Sequence, residues 1–300
     1  MTRQDSQKKC GHIAIIGRPN VGKSTLLNRI LEQKISITSR KPQTTRHRIL
    51  GIKTSGDSQF IYVDTPGLHQ AGGHAMNRLM NRTAGDALQD VDIVLLVADA
   101  LSWSEADESI LDRLRRIRAP VILVINKVDK IEPKALLLPH LAYLAGLYGF
   151  IGVIPVSARQ GSNLSQLETL IRAHLPDSPW LFPADQITDR NERFLAAELV
   201  REKLTRRLGQ ELPYALTVEI EQFALQRGVI HIGALIWVER SAQKAIVIGK
   251  QGDMLKHIGA QARKDMERAF GHKIFLRLWV KVKEKWSDDE RALRHLGYTE

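Results

Sequence analysis

A single cysteine, Cys10, stands in the whole chain of 300 residues. That rules out an internal disulfide and a cysteine-built metal cluster, and makes a reducing compartment the expectation. Long apolar runs are missing as well: the longest are of strand length, against the roughly 18–20 residues of a membrane-spanning helix. The opening stretch Met-Thr-Arg-Gln-Asp-Ser-Gln-Lys-Lys has no apolar core, so no secretory signal is expected there. Acidic residues run short, 33 Asp and Glu against 44 Lys and Arg, and the net charge of +11 favours contact with a polyanion. What remains, 43% hydrophobic and 26% charged residues, suits a soluble globular protein of the cytoplasm with two domains.

The chain is organised around residues 12–26. An apolar run, Ile13 to Ile16, leads straight into Gly17-Arg18-Pro19-Asn20-Val21-Gly22-Lys23-Ser24, followed by Thr25. This is the Gly-x-x-x-x-Gly-Lys-[Ser/Thr] phosphate loop between a buried strand and a helix. Glycines let backbone N–H groups curl around phosphate oxygens, and the next helix points its positive end inward. Lys23 can reach the β- and γ-phosphates, and the Ser24 hydroxyl is placed to ligate Mg²⁺.

Residues 34–48 are polar, basic and broken by Pro42, and read as a loop. Such a loop can order around Mg²⁺ through a threonine hydroxyl, that of Thr45 first and of its neighbour Thr44 second. Ile49 to Lys53 and Gln59 to Val63 bracket Thr54-Ser55-Gly56-Asp57, a hairpin signal, and the second strand ends in Asp64-Thr65-Pro66-Gly67. Asp64 can hold Mg²⁺ through a water, and the Gly67 N–H can sense a γ-phosphate. Val91 to Ala98 and Val121 to Ile125 are continuous apolar runs, as in parallel strands covered on both faces, with a helix over Glu105 to Arg118 between them.

The second run ends in Asn126-Lys127-Val128-Asp129. Asp129 can accept both N1–H and N2–H₂ of guanine, whereas adenine would leave the carboxylate unpaired. Lys127 can lay its stem over the base, and Asn126 can brace the loops. A further strand, Ile151 to Val156, ends in Ser157-Ala158, where a backbone N–H can meet guanine O6. These loops leave the carboxyl ends of strands at one sheet edge, where open α/β sheets bind ligands, and together they predict a guanine-nucleotide site.

No His/Asp pair and no nucleophile cluster accompanies these motifs. His69 and His74 lie in a glycine-rich loop, and Leu68 cannot hydrogen-bond a water. Hydrolysis is then left to positioning and electrostatics, through Lys23, Thr45 and Gly67 with Mg²⁺, and a slow intrinsic rate is expected. Arg40, Arg46 and Arg48 are candidates for stabilising charge in cis.

The expected division is a G domain over 1–176, a proline-marked linker over 177–190 and a second domain over 191–300. Asn191 to Leu208 reads as an amphipathic helix; Tyr214 to Glu221, Val229 to Glu239 and Lys244 to Ile248 read as strands. Gly249-Lys250-Gln251-Gly252 follows, then a helix over Asp253 to Phe270 with Leu255, Ile258, Ala262, Met266 and Ala269 on one face, and an alternating strand over Ile274 to Val282. Two glycines let the chain pass closely under a nucleic-acid backbone, as in the KH arrangement that clamps about four unstacked nucleotides. The RNA-contact candidates are Ile248, Gly249, Lys250, Gln251, Gly252, Lys256, Arg263 and Lys281. Trp279 and Trp286 read as packing residues.

The combination resembles the Era family of bacterial ribosome-associated GTPases over essentially the whole length. The resemblance rests on Gly17 to Ser24, Gln43-Thr44-Thr45-Arg46-His47, Asp64 to Gly67, Asn126 to Asp129, Ser157-Ala158 and Gly249 to Gly252. It implies an α/β P-loop GTPase domain with a mostly parallel sheet, followed by an α+β type II KH domain. It also implies binding of GTP and GDP with Mg²⁺, and binding near the 3′ end of 16S ribosomal RNA with a role in 30S subunit biogenesis. Leu68 stands where Ras-like proteins carry a catalytic glutamine. Asn20 resembles the asparagine that in related GTPases helps hold K⁺, so K⁺ is a further implied cofactor. The resemblance adds peripheral association with the inner membrane, and the chain is expected to be a monomer. Two other readings stay open: an RNA-binding protein with a regulatory or weakly active G domain, and a GTPase acting on another RNA such as transfer RNA.

Overall fold

The computed structural model describes residues 8–41, 44–67, 75–209 and 212–298. The chain divides into two compact units: Met1–Ser36, Thr45–Ala71 and Met80–Asp189 form the first, and Ile37–Thr44, Gly72–Leu79 and Arg190–Glu300 form the second.

The first unit runs β1 (Lys9–Ile16), α1 (Lys23–Ile30), β2 (Ile49–Ser55), β3 (Ser58–Asp64), α2 (Ala75–Asp86), β4 (Ile93–Asp99), α3 (Glu105–Leu114), β5 (Val121–Asn126), α4 (Leu137–Ala145), β6 (Gly152–Val156) and α5 (Leu164–His174), with the opening turns of α2 clustering with the second unit. The strands form one sheet in the order β2-β3-β1-β4-β5-β6. Only the edge strand β2 is antiparallel, joined to β3 by the turn at Gly56 (φ 63°). Every residue of β3, β4 and β5 is buried, which is why those runs are apolar without alternation.

The stretch expected to be a linker is instead fastened to this unit. Gln59, itself fully buried, gives its side-chain amide to the Phe182 carbonyl (2.8 Å) and accepts from the N–H groups of Leu181 and Phe182 (2.9 and 3.0 Å). Ile52 N–H donates to the Ile187 carbonyl at 2.7 Å.

The second unit runs α6 (Glu192–Arg207), β7 (Leu216–Gln226), β8 (Val229–Val238), α7 (Ser241–Ile248), α8 (Asp253–Phe270), β9 (Lys273–Val282) and α9 (Glu290–His295). Its sheet is ordered β7-β8-β9, with β7 antiparallel and β9 parallel to β8. Arg227 and Gly228 make the hairpin between β7 and β8 with φ of 50° and 79°, the doubly positive turn that matches strand twist. One sheet face packs on α6 and α8, where Ile232, Ala234 and Ile236 meet Leu199, Val200, Ile258 and Met266.

Here one expectation fails. Lys244 to Ile248, read as a strand, is the second half of helix α7. Ala-Ile-Val-Ile is β-branched and favours a strand locally. Packing and capping decide otherwise: Val247 is fully buried in the core, and the Gln243 side chain accepts from Glu239 and Arg240 N–H (2.9 and 3.0 Å).

Helix α6 is buried around most of its circumference, charges included. Arg201, 1% exposed, makes a two-pronged pair with Glu198 at 2.6 Å on each prong. Burial opposes the Arg201 charge, but Glu198 outweighs it and holds the guanidinium pKa above its usual value. Arg201 also donates to the Thr44 carbonyl, and Glu202 accepts from Thr38 N–H at 3.0 Å, so Thr38 and Thr44 are tied to this helix within the second unit.

Candidate functional site

The phosphate loop is built by backbone conformations that side chains would prevent. Gly17 has φ 150° and a Cβ there would lie 2.3 Å from the Val97 carbonyl oxygen; at Gly22, φ 103°, it would lie 2.3 Å from Asn126 Nδ2. Val21 is fully buried, Pro19 and Thr25 are half-buried, and Asn20 is exposed with φ 67°. Lys23, 7% exposed, donates to the carbonyls of Gly17 (2.8 Å) and Arg18 (3.0 Å). Burial lowers its pKa from 10.5 to about 8, against the opposing pull of the Asp64 and Asp107 charges. The Arg18 side chain turns away to Asp107 at 3.0 Å, so this residue offers the loop its backbone.

Ser24, Thr45 and Asp64 converge. Ser24 Oγ lies 2.8 Å from Thr45 Oγ1 and donates to Asp64 Oδ2 at 2.9 Å. Thr44 Oγ1 instead donates to the Lys41 carbonyl (2.7 Å), which leaves Thr45 as the threonine beside Ser24. Sequence reasoning missed Ser36, fully buried, whose Oγ also donates to Asp64 Oδ2 at 2.9 Å. No local motif marks this serine. Burial raises the Asp64 pKa against the Lys23 charge and both hydroxyl donors. Its second oxygen, Oδ1, is buried without a hydrogen-bond partner. Two hydroxyls and a carboxylate with an unused oxygen fit a hard, oxygen-seeking cation such as Mg²⁺.

Gly67 closes over the same corner: a Cβ there would sit 3.2 Å from Pro19 N and 3.3 Å from Lys23 Nζ. Leu68, His69 and His74 fall outside the described residues, as do Pro42 and Gln43. Of the cis-arginine candidates, Arg40 is exposed, Arg46 is buried and Arg48 is half-buried.

The base-side motifs meet through Asn126, which is 2% exposed. Its Nδ2 donates to the Val21 carbonyl at 2.8 Å, and its Oδ1 accepts from Ala158 N–H at 3.0 Å. One amide therefore clamps the phosphate loop to the Ser157-Ala158 loop. Lys127, in a left-handed conformation (φ 70°), donates to the Asn20 carbonyl (2.6 Å) and to Asp99 (2.7 Å). Burial alone would raise the Asp99 pKa, but the Lys127 hydrogen bond and the neighbouring charges carry it below the usual value. Ser157 Oγ donates to Asp129 Oδ1 at 2.7 Å and fixes that carboxylate's orientation.

In the second unit the Gly249–Gly252 turn joins two helices, α7 and α8. Gly249 has φ 74° and ψ 175°, Gln251 φ 52° and Gly252 φ 81°, and a Cβ at Gly249 would lie 2.6 Å from Met254 Cβ. Lys250 is exposed on this turn, while Ile248 packs against the core behind it. Beside the turn lies a cavity of about 520 Å³ whose walls are Gly252, Leu255, Lys256, Gly259 and Arg263 from the α8 side and Ile274 to Leu276 with Leu278 from β9. Apolar walls with two cations and a glycine-rich entrance suit a few unstacked nucleotides. Lys281 is not part of it: it points to the other sheet face and pairs with Glu221 at 3.6 Å.

Comparison with known proteins agrees with both halves. The family described as 50S ribosome-binding GTPase matches residues 12–127, and the KH domain family matches residues 211–287. A GTPase Era of Pseudomonas fluorescens is 60% identical over 290 residues, 97% of either chain. The chain belongs to the Era family of GTPases. A second relative, the GTPase Era of Pseudomonas aeruginosa, is 59% identical over 97% of this chain and 95% of its own. Among solved structures, Era in complex with MgGDPNP and nucleotides 1506–1542 of 16S ribosomal RNA is 38% identical with a TM-score of 0.94, covering 98% of this chain and all of that one. An Aquifex aeolicus Era variant bound to GDP and AlF4⁻ has the same identity and TM-score over 97% of this chain.

Proposed function

We propose that this protein is a GTP-hydrolysing switch that binds 16S ribosomal RNA near its 3′ end and assists 30S subunit biogenesis. The observation that carries this reading is the full-length likeness, at a TM-score of 0.94, to an Era solved with both a guanine nucleotide and that RNA segment. Gly17 to Thr25 wrap the phosphates with backbone N–H groups, and Lys23 leaves its carbonyl partners to meet the β- and γ-phosphates. Asp129 reads the guanine N1–H and N2–H₂, Lys127 covers the base, and Ala158 N–H meets O6. Ser24 and Thr45 would hold Mg²⁺ directly and Asp64 through water, and the ion would supply positive charge to the phosphates. Gly67 N–H senses the terminal phosphate.

Hydrolysis in this reading is set by positioning and electrostatics, with a slow intrinsic turnover. We further propose that K⁺ binds near Asn20 and speeds hydrolysis, supported by the exposed Asn20 side chain at the loop mouth. Lys250, Gln251, Lys256 and Arg263 hold the RNA strand in the groove beside α8. A monomer of the cytoplasm, with peripheral contact to the inner membrane, completes the proposal; among the described residues no helix is long and apolar enough to cross a membrane.

The test is ultraviolet crosslinking in cell extract with GTP or GDP, followed by sequencing of the attached RNA. Reads should gather at the 3′ end of 16S ribosomal RNA and rise with GTP. Reads that gather on transfer RNA would overturn the substrate.

A further inference from the structure

The groove uses one side of the second unit's sheet. Paired residues in register point to the same side, so Phe275 with His231, Trp279 with Leu235, and Lys281 with Trp237 stand on the other. Along β9 on this outer face, rings alternate with cations. The Phe275 ring is 43% exposed, lies 5.1 Å from the His231 ring and has the Arg277 guanidinium 5.1 Å from its centre. Trp279 lies across Gly233, where a Cβ would come within 2.9 Å of the indole. The Lys281 and Lys283 ammonium groups each sit 5.8 Å from the Trp237 ring, whose Nε1 donates to Glu219 at 2.8 Å. Acidic groups on this face belong to β7, Glu219 and Glu221, and the positive edge belongs to β9.

We propose that this outer face is a second RNA-binding surface, which takes single-stranded RNA by stacking bases on Phe275, Trp279 and Trp237 while phosphates follow Arg277 and Lys281. The inference rests on the RNA-binding reading of the groove and extends it. The exposed Phe275 ring and the half-buried Trp237 and Trp279 indoles, interleaved with guanidinium and ammonium groups, are the chemistry by which sheets bind unpaired bases. Continuity supplies the second argument: Phe275 belongs both to the wall of the groove and to this face. A strand leaving the groove at Phe275 therefore reaches the platform by passing round the free edge of β9. From Phe275 to Lys281 the track is roughly 20 Å long, at about 3.3 Å per strand residue.

The test compares fluorescently labelled single-stranded RNAs of the 16S 3′-end sequence, one of about five nucleotides that fills the groove and one of about twelve that reaches beyond it. The full-length protein should bind the longer probe more tightly. The double variant Arg277→Ser/Lys281→Ser, which removes both phosphate contacts of this face, should weaken the longer probe about tenfold and leave the shorter one unchanged. Photocrosslinks from the longer probe to the unaltered protein should fall on peptides holding Trp237, Phe275 and Trp279. Equal binding of the longer probe by variant and parent, with no such crosslinks, would overturn the platform. The variant Lys250→Asp/Gln251→Asp separates the two readings: if it abolishes both probes while the platform variant does nothing, the groove stands and the platform falls. If neither probe binds the unaltered protein, the RNA-binding reading falls and takes the platform with it.

Discussion

Nucleotide binding should draw a proton from solvent at alkaline pH, and Lys23 is the reason. Its ammonium is 7% exposed and held by two carbonyls, and burial lowers its pKa from 10.5 to about 8. That drop corresponds to about 3 kcal/mol against the charged form. Because the folded pKa lies below the unfolded one, the unfolded chain binds more protons between about pH 8 and pH 10.5. The stability of the nucleotide-free fold therefore rises with pH across that window. Phosphate oxygens reverse the sign locally, since an opposite charge within a few ångströms restores the ammonium. At pH 8.5 about a quarter of nucleotide-free molecules carry the Lys23 proton, against nearly all with GDP bound, so binding takes up roughly three-quarters of a proton. The GDP phosphates, with a second ionisation near pH 6, are already charged there and add nothing. Calorimetry at pH 8.5 in two buffers of different ionisation enthalpy reads the uptake directly, and a repeat at pH 7 should show only about a tenth of a proton from Lys23. Buffer-independent binding heats at pH 8.5 would refute the reasoning.

Asp129→Asn should cut GTP affinity at least about 100-fold, by removing charge-assisted bonds to the guanine edge, and should shift preference towards XTP. Displacement of fluorescent GDP measures it, and unchanged GTP over XTP selectivity would remove the base assignment. Arg201→Met removes the two-pronged partner of the buried Glu198 carboxylate and should cost about 3–5 kcal/mol in urea unfolding of the second unit. Adding Glu198→Gln should recover much of that loss, and failure to recover would assign the cost to packing alone. Gly249→Ala should lower stability by about 1–3 kcal/mol, because φ 74° with ψ 175° suits only glycine and the new methyl meets Met254. A melting curve and an RNA-binding assay together check this effect.

The nucleotide motifs were legible because each is a few consecutive residues whose types the ligand chemistry dictates. Gly17 and Gly22 are required by the backbone itself, and Asn126 bracing the loops follows from an amide between a carbonyl and an N–H. The sequence favoured Thr45 over Thr44 only narrowly, since adjacent threonines differ in which way the chain turns; it is Thr45 that meets Ser24. Ser36 stayed hidden because its role depends on chain folding back to Asp64 across 28 positions. Helix α7 was misread for the opposite reason: Ala245 to Ile248 carry a strand-like local signal that Val247 burial overrides. Lys281 was placed in the groove on charge alone, although strand alternation already put it on the opposite face from Leu276 and Leu278. Residues 177–189 looked like a tether by composition, whereas the buried amide of Gln59 anchors them.

The Asn126 clamp has a kinetic consequence. Phosphate grip and base reading share one side chain, so loosening of the loop at either end of the nucleotide is expected to be felt at the other. Parting Ala158 N–H from Asn126 removes the support under Val21, and disturbing the phosphate loop frees the amide that orders the base-side loop. A nucleotide-release factor would then need to press on only one of the two ends, whichever its own shape can reach, and the whole ligand would be let go together.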